Sequence, residues 1–369
     1  MHNPDVVVVG GGMAGVSIAA RLAGHRSVLL LEAEDRLAYH TTGRSAAVYL
    51  ESYGSAPVRA LTRASRPLYD AVPDADPDAT PLLAPTAQLI VADEPGLPLL
   101  EAELAELPGL VRLTPTEALA YSPILDLTYL AAAAVETNAA NIDVMGLHQH
   151  YVRTGRRRGM RVLTGARVLA GRRTGDAWQL DTTAGPVSTG TVVNAAGAWA
   201  DAVAVALGTK PLGLIPLRRT IAIAVAAGID PAGPLIGDVA ETFYTRPESG
   251  GLLISPADET PSEPVDATAD ELDVAIAIER VNAALTVELR SVSTTWAGLR
   301  TFSPDRVPVA GWDTGQPGLV WLAGQGGYGI QLAPALAELT AALVLGTPVP
   351  AGLLAEGVDP AELSPARFG

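Results

Sequence analysis

The sequence predicts an α/β fold: a nucleotide-binding βαβ unit at the N-terminus and an inserted α+β portion. Three observations carry this. A β-branched run, Asp5 to Val9, leads straight into Gly10-Gly11-Gly12-Met13-Ala14-Gly15. A second apolar run, Ser27 to Leu31, ends in Glu32 after a stretch where Ile18 and Leu22 lie four apart. Near the far end, Gly318 to Ala323 reads as a buried strand before a second glycine-rich loop.

The first 32 residues therefore read as strand, tight turn, helix, strand, with both strands apolar throughout, as a parallel sheet covered on both faces requires. Prolines break the stretches Val72 to Pro85 and Asp93 to Pro98, and Ala257 to Asp270 is polar, so these read as loops of the insert. Thr220 to Val225 and Gly251 to Ser255 are strand-like, whereas Val274, Ile278, Val281 and Leu285 follow helical spacing. Leu332, Leu336, Leu339 and Leu343 mark one face of a closing helix that Gly346 and Pro348 end. That last strand, loop and helix return to the first sheet.

A length of 369 residues allows two domains, or one large domain with insertions. The chain has no cysteine, which removes disulfides, thiolate nucleophiles and sulfur-attached cofactors. Its single lysine, Lys210, leaves almost no place for a Schiff base or a Gly-Lys-Ser/Thr phosphate loop. A formal charge of −15 opposes attraction to nucleic acid or an anionic membrane. No apolar run approaches the roughly 18 to 20 residues that span a bilayer, and no basic region precedes Val6 to Val9 as in a secretory signal. These features predict a cytoplasmic protein with no transmembrane segment and no nucleic-acid partner. The basic cluster Arg153 to Arg161 reads as a solvated helix end and turn. His148-Gln149-His150 reads as helix surface rather than metal site, because residues two apart do not share a helix face. No metal is expected, and no Gly-x-Ser-x-Gly elbow is present.

In Gly10-x-Gly12-x-x-Gly15 the first glycine permits the turn, the second lets a pyrophosphate approach the backbone, and the third lets helix and strand pack closely. The helix start at Met13 and Ala14 offers unpaired N–H groups and a partial positive charge to the phosphates. Glu32, followed by Ala33, is placed for adenosine-ribose hydroxyls and would repel a 2′-phosphate. The motif alone does not separate NAD from FAD. Three further small-residue segments suit a long dinucleotide with a flat ring: Tyr39 to Ala47, with Thr41, Thr42, Arg44, Ser45, Ala46 and Ala47; Val192 to Trp199, with Ala196 and Gly197; and Gly324 to Gln331, with Gly326, Gly327, Tyr328, Gly329 and Ile330.

Together with Tyr53-Gly54 and Trp296-Ala297-Gly298-Leu299-Arg300, these segments resemble the D-amino-acid oxidase superfamily of FAD enzymes over nearly the whole chain. The likeness is greatest to bacterial dehydrogenases of the D-arginine dehydrogenase type. The resemblance implies non-covalent FAD held by a discontinuous domain (1–81, 139–210 and 298–369), with Arg167, Val168 and Gly298 among the cofactor contacts. It also implies a substrate domain (82–138 and 211–297) built on an antiparallel sheet. The absence of cysteine excludes thioether attachment of the flavin, and His40 is expected to pack or hydrogen-bond rather than tether the ring.

A small-molecule amino acid presents a carboxylate, which arginine grips through two parallel charge-assisted hydrogen bonds. Arg300 and Arg219 match the family's carboxylate contacts, although Arg218 competes with Arg219 for the inward position. Tyr53 and Tyr244 match active-site tyrosines, and Gly327 and Gln331 match positions near the substrate amine and flavin. Gln88 stands where the D-arginine enzyme has the carboxylate that pairs with a guanidinium; Val48 replaces a histidine, and Leu50 a smaller polar residue. A cationic side chain would lose its counter-charge there.

The expected reaction is hydride transfer from Cα of an uncharged or hydrophobic D-amino acid to flavin N5, giving an imino acid and then a 2-oxo acid and ammonia. The electron acceptor, oxygen or a quinone, is open. Alternatives are oxidation of secondary or N-methylated amines, as in sarcosine or glycine oxidases, and a non-catalytic flavin-binding protein.

Overall fold

The computed structural model describes residues 3–72, 80–248 and 250–369. The first two residues, and 73–79 of the loop expected at 72–85, lie outside them. Six strands form a sheet in the order Val309–Trp312, Leu319–Ala323, Thr191–Asn194, Val6–Val9, Val28–Leu31, Arg161–Leu163. All neighbours are parallel except the first pair. The unbroken apolar runs follow from burial of both faces. Val6, Val8 and Leu30 pack with the helices Met13–Leu22, Val144–Arg157 and Gly329–Leu345. Val7, Val9, Leu29 and Leu31 pack against Trp178, Leu180 and Val187 of a small three-stranded sheet.

The first turn needs two of its glycines for steric reasons. Gly10 has φ +109°, and a Cβ there would run into the Ala195 carbonyl. A Cβ on Gly15 would overlap the Gly10 carbonyl, so helix Met13–Leu22 could not sit on strand Val6–Val9. Gly15→Ala is therefore expected to yield little soluble, yellow protein, measured as folded yield and flavin content.

The second body is a ten-stranded sheet in the order Gln325–Gly326, Val292–Phe302, Ile215–Val225, Gly251–Ser255, Tyr244–Glu248, Leu235–Asp238, Gln88–Ala92, Ala132–Glu136, Val111–Leu113, with Thr260–Pro261 attached to Ile215–Val225. It is mixed rather than antiparallel throughout: Leu235–Asp238 runs parallel to Gln88–Ala92. Helix Glu271–Ala284 covers it through Ala277, Val281 and Ala284, and Leu285 is the residue that ends that helix. The long strand Val292–Phe302 passes through residue 298, so the expected boundary between 297 and 298 falls inside one strand. We propose two domains built on these two sheets, with that strand wholly in the second.

Other expectations change locally. Asp93–Gly96 is a turn, but Leu97–Glu106 is helical, with Pro98 in the first turn where a missing N–H costs nothing. Leu83–Pro85 is a short strand on Ala140–Ile142. The strand expected from Thr220 starts at Ile215, which places Arg219 in its middle. The basic cluster does fall at a helix end and turn, between Val144–Arg157 and Arg161–Leu163. His148 and His150, expected on the surface, are both buried, on a helix that packs against Met13–Leu22. His148 Nε2 lies 3.0 Å from the Gly11 carbonyl, and burial holds the imidazole pKa below its usual value, so the neutral ring donates to the glycine turn. Among the described residues no group of three or more His, Asp or Glu could hold a metal, and no helix is long and apolar enough to cross a membrane.

Candidate active site

One cavity of about 860 Å³ runs from the glycine turn to the face of the ten-stranded sheet, near the upper end of the roughly 300–1,000 Å³ usual for ligand sites. At its nucleotide end Gly12 caps helix Met13–Leu22 and has no side chain of its own to bond the first turn. The Met13 N–H donates to Thr42 Oγ1 at 2.9 Å, leaving Ala14 and Gly15 as first-turn donors with no acceptor inside the helix. The Glu32 carboxylate is fixed at the cavity edge, accepting from the Gly11 N–H at 2.7 Å and the Glu34 N–H at 2.8 Å. Uncapped amides, bare glycine and an oriented carboxylate are the chemistry a dinucleotide requires. FAD fits this cradle.

The remaining expected contacts mostly line the same cavity. Met13, Ala14 and Ala33 do so at the turn, Ser45, Ala46 and Ala47 after it, and Arg167 and Val168 opposite. Ala196, Gly197, Trp199, Gly298, Tyr328, Gly329 and Ile330 complete the wall. Gly15 does not line the cavity; it takes the packing role expected of the third glycine, buried where helix meets strand. Gln331 lines it, but its amide is committed elsewhere: Oε1 accepts from the Leu50 N–H at 3.2 Å and Nε2 donates to Thr62 Oγ1 at 2.9 Å. Gln331 therefore fixes Leu50 rather than offering a free amide.

Arg44 straps the nucleotide segment to the sheet. Its Nη1 donates to the carbonyls of Ala267 at 2.8 Å and Ala297 at 3.1 Å, and its Nη2 pairs with Asp266. That hydrogen bond holds the Asp266 carboxyl below its ordinary pKa. Thr41 Oγ1 donates to the Leu299 carbonyl at 2.9 Å. His40 lies 3.1 Å from Glu34 Oε1 and packs at 4.4 Å between ring centroids on Trp199.

At the other end, strands Ile215–Val225 and Val292–Phe302 pair Arg219 with Gly298 and Leu217 with Arg300. Cross-strand partners share a face, so both arginines point into the cavity while Arg218 points away to Asp273 at 2.7 Å. That alternation decides between Arg218 and Arg219. Arg219 is buried; its Nε donates to the Asp258 carbonyl at 2.8 Å, with Glu259 at 3.6 Å and the Tyr244 ring centroid at 5.8 Å. Arg300 Nη1 donates to the Tyr53 hydroxyl at 3.2 Å. Gly327 is bare where Arg300 packs; a Cβ there would lie 2.8 Å from Nη1. Tyr53 is held edge-on by Tyr328, at 4.9 Å between ring centroids. Burial alone would raise the Tyr244 phenol pKa, but the Arg300 and Arg219 guanidiniums outweigh it and the net shift is downward.

Between these groups Leu50, Ala139 and Leu235 form a small buried cluster, with Val48, Tyr53 and Tyr244 packed on it. Gln88 stands beside it on strand Gln88–Ala92, its Oε1 buried with no hydrogen-bond partner among the described residues. The outer rim is acidic: Glu103, Glu106 and Glu241 line it, and Glu106 pairs with Arg59 at 2.6 Å. Burial raises the Glu103 pKa, and Glu241 and Glu106 push it the same way. Leu235 and this rim lie in irregular or weakly patterned sequence that gives no sign of them.

The profile of the family described as DAO, FAD dependent oxidoreductase, matches residues 5–343. The chain belongs to this family. The family is FAD dependent, and the cradle described above has the chemistry to hold that cofactor. Among curated proteins it is 24% identical to the mitochondrial dimethylglycine dehydrogenases of Rattus norvegicus and Homo sapiens, over 99% of its own length and 45% and 44% of theirs. The chain thus spans less than half the length of these relatives. Among solved structures it is similar to a glycine oxidase from Geobacillus kaustophilus, with a TM-score of 0.84, 23% identity and coverage of 99% and 98% of the two chains. It is also similar to an L-proline dehydrogenase from P. horikoshii, with a TM-score of 0.85, 20% identity and coverage of 100% and 98%. These likenesses establish the fold that the DAO chain adopts.

Proposed function

We propose that this protein oxidises the carbon–nitrogen bond of an α-amino acid, a D-amino acid with an uncharged side chain, using non-covalent FAD. The observation that carries the reading is Arg300. Its guanidinium lines the cavity and donates to the Tyr53 hydroxyl, yet among the described residues no carboxylate lies within 4.0 Å of it. A partly buried cation without a counter-ion is costly unless a ligand supplies one, and a planar fork matches a carboxylate. Arg219, partly neutralised by Glu259, and Tyr244, whose lowered pKa makes its hydroxyl a better donor, complete the grip. Gly327 offers room and a backbone carbonyl, and Val48, Leu50, Gln88 and Leu235 offer an uncharged pocket to the side chain.

Bound flavin would supply the two-electron acceptor for the Cα–H bond. The chain's own part is to fix the carboxylate, exclude water with the Tyr53 and Tyr328 rings, and leave the amine free to lose its proton. The expected result is a kcat/KM for D-leucine or D-methionine at least tenfold above that for D-arginine. An advantage for D-arginine would remove the uncharged-pocket assignment. A second reading, oxidation of an N-methylated glycine, is favoured by the dimethylglycine dehydrogenase match across 99% of this chain. Turnover of sarcosine or N,N-dimethylglycine exceeding that of every D-amino acid would decide for it.

A further inference from the structure

We propose that Glu136 is a positioning residue for the substrate clamp: its carboxylate locks the Glu51–Ser52 turn so that Tyr53 meets Arg300. Glu136 ends strand Ala132–Glu136, opposite Gln88, and is 3% exposed. Among the described residues no cation lies within 4.0 Å of it. Its carboxylate instead accepts from the Glu51 N–H at 2.6 Å, the Ser52 N–H at 3.4 Å and the Ser52 hydroxyl. Glu51's own carboxylate is turned aside to accept from the Tyr49 hydroxyl at 2.9 Å.

A buried carboxylate disfavours folding unless donors surround it. Burial raises the Glu136 pKa, while these three hydrogen bonds oppose the rise. Two backbone N–H groups and a hydroxyl converging on two oxygens suit an acceptor with no donor of its own. The residue after this locked turn is Tyr53, whose hydroxyl accepts from Arg300 Nη1. The chain of contacts thus runs from the sheet through Glu136 and the turn to the guanidinium, and nothing in it needs Glu136 to touch a ligand.

This inference rests on the proposed carboxylate site only for its binding arm. The test uses FAD-loaded protein labelled with 3-fluorotyrosine, the Tyr53 resonance being assigned by its loss in Tyr53→Phe. Glu136→Gln puts an N–H donor where an acceptor is needed, and is expected to shift or broaden the Tyr53 signal. It is also expected to weaken binding of benzoate, followed through the flavin spectrum, by about tenfold, and by less than twofold in the Tyr53→Phe background. An unmoved Tyr53 resonance in a folded variant, or equal weakening in both backgrounds, would overturn the proposal. Should Glu136→Gln not retain FAD, Ser52→Ala removes one donor and should move the same resonance; no movement overturns it equally. Failure of the parent protein to bind benzoate counts against the carboxylate site, and the fluorine signal then decides the role of Glu136 by itself.

Discussion

Arg300→Met is expected to lower kcat/KM for the preferred amino acid by roughly 30- to 5,000-fold, the equivalent of about 2–5 kcal/mol, with flavin content unchanged. Methionine has a comparable reach and an apolar tip, so the variant removes the charge and the fork without opening a large hole. The retained Arg219 does not compensate, because its Nε is spent on the Asp258 carbonyl and Glu259 lies 3.6 Å from its Nη2. The loss should appear mainly as a raised KM, with weaker inhibition by simple carboxylates. Arg300→Lys keeps the charge but not the two parallel donors, and should fall between parent and Arg300→Met. Steady-state kinetics with benzoate as competitor check all three, and a near-normal KM for Arg300→Met would place the carboxylate elsewhere.

Gly12→Asp is expected to give a folded but colourless protein. Gly12 has φ −76° and ψ −175°, a conformation open to any residue, and a Cβ there meets only Thr42 Oγ1, at 3.2 Å. Aspartate is among the best helix-capping residues, so the fold itself should be as stable as the parent apoprotein or more so, by about 0.5–2 kcal/mol. The same carboxylate would occupy the first-turn amides and place a negative charge where the pyrophosphate must sit. Stability and cofactor binding therefore move in opposite directions. Thermal melts of apoprotein and FAD titration together check it; normal flavin uptake would mean that the phosphates bind away from this helix.

The nucleotide end was legible because its chemistry is local in sequence. Gly10, Gly12, Gly15 and Glu32 lie within one βαβ unit, and the sheet's two covered faces make Val6–Val9 and Val28–Leu31 continuous apolar runs. The substrate end is assembled from distant segments. Arg219 and Arg218 are adjacent, and only the register with Gly298 and Leu299 shows which of them faces inward. His148 looked like surface because spacing says nothing about a helix buried on more than one side; the molecule uses it to hold the Gly11 carbonyl. Glu136 was missed altogether. Its one signal is a carboxylate closing the run Ala132-Ala133-Ala134-Val135, too short a cue to separate a strand end from a loop charge.

Anaerobic mixing of the purified yellow protein with D-methionine, followed by its visible spectrum, bears most directly on the whole account. Rapid bleaching of the flavin band, slowed in Arg300→Met, is the predicted result. A protein that isolates without flavin and takes up none, or whose spectrum stays unchanged with D-, L- and N-methyl amino acids alike, would contradict it.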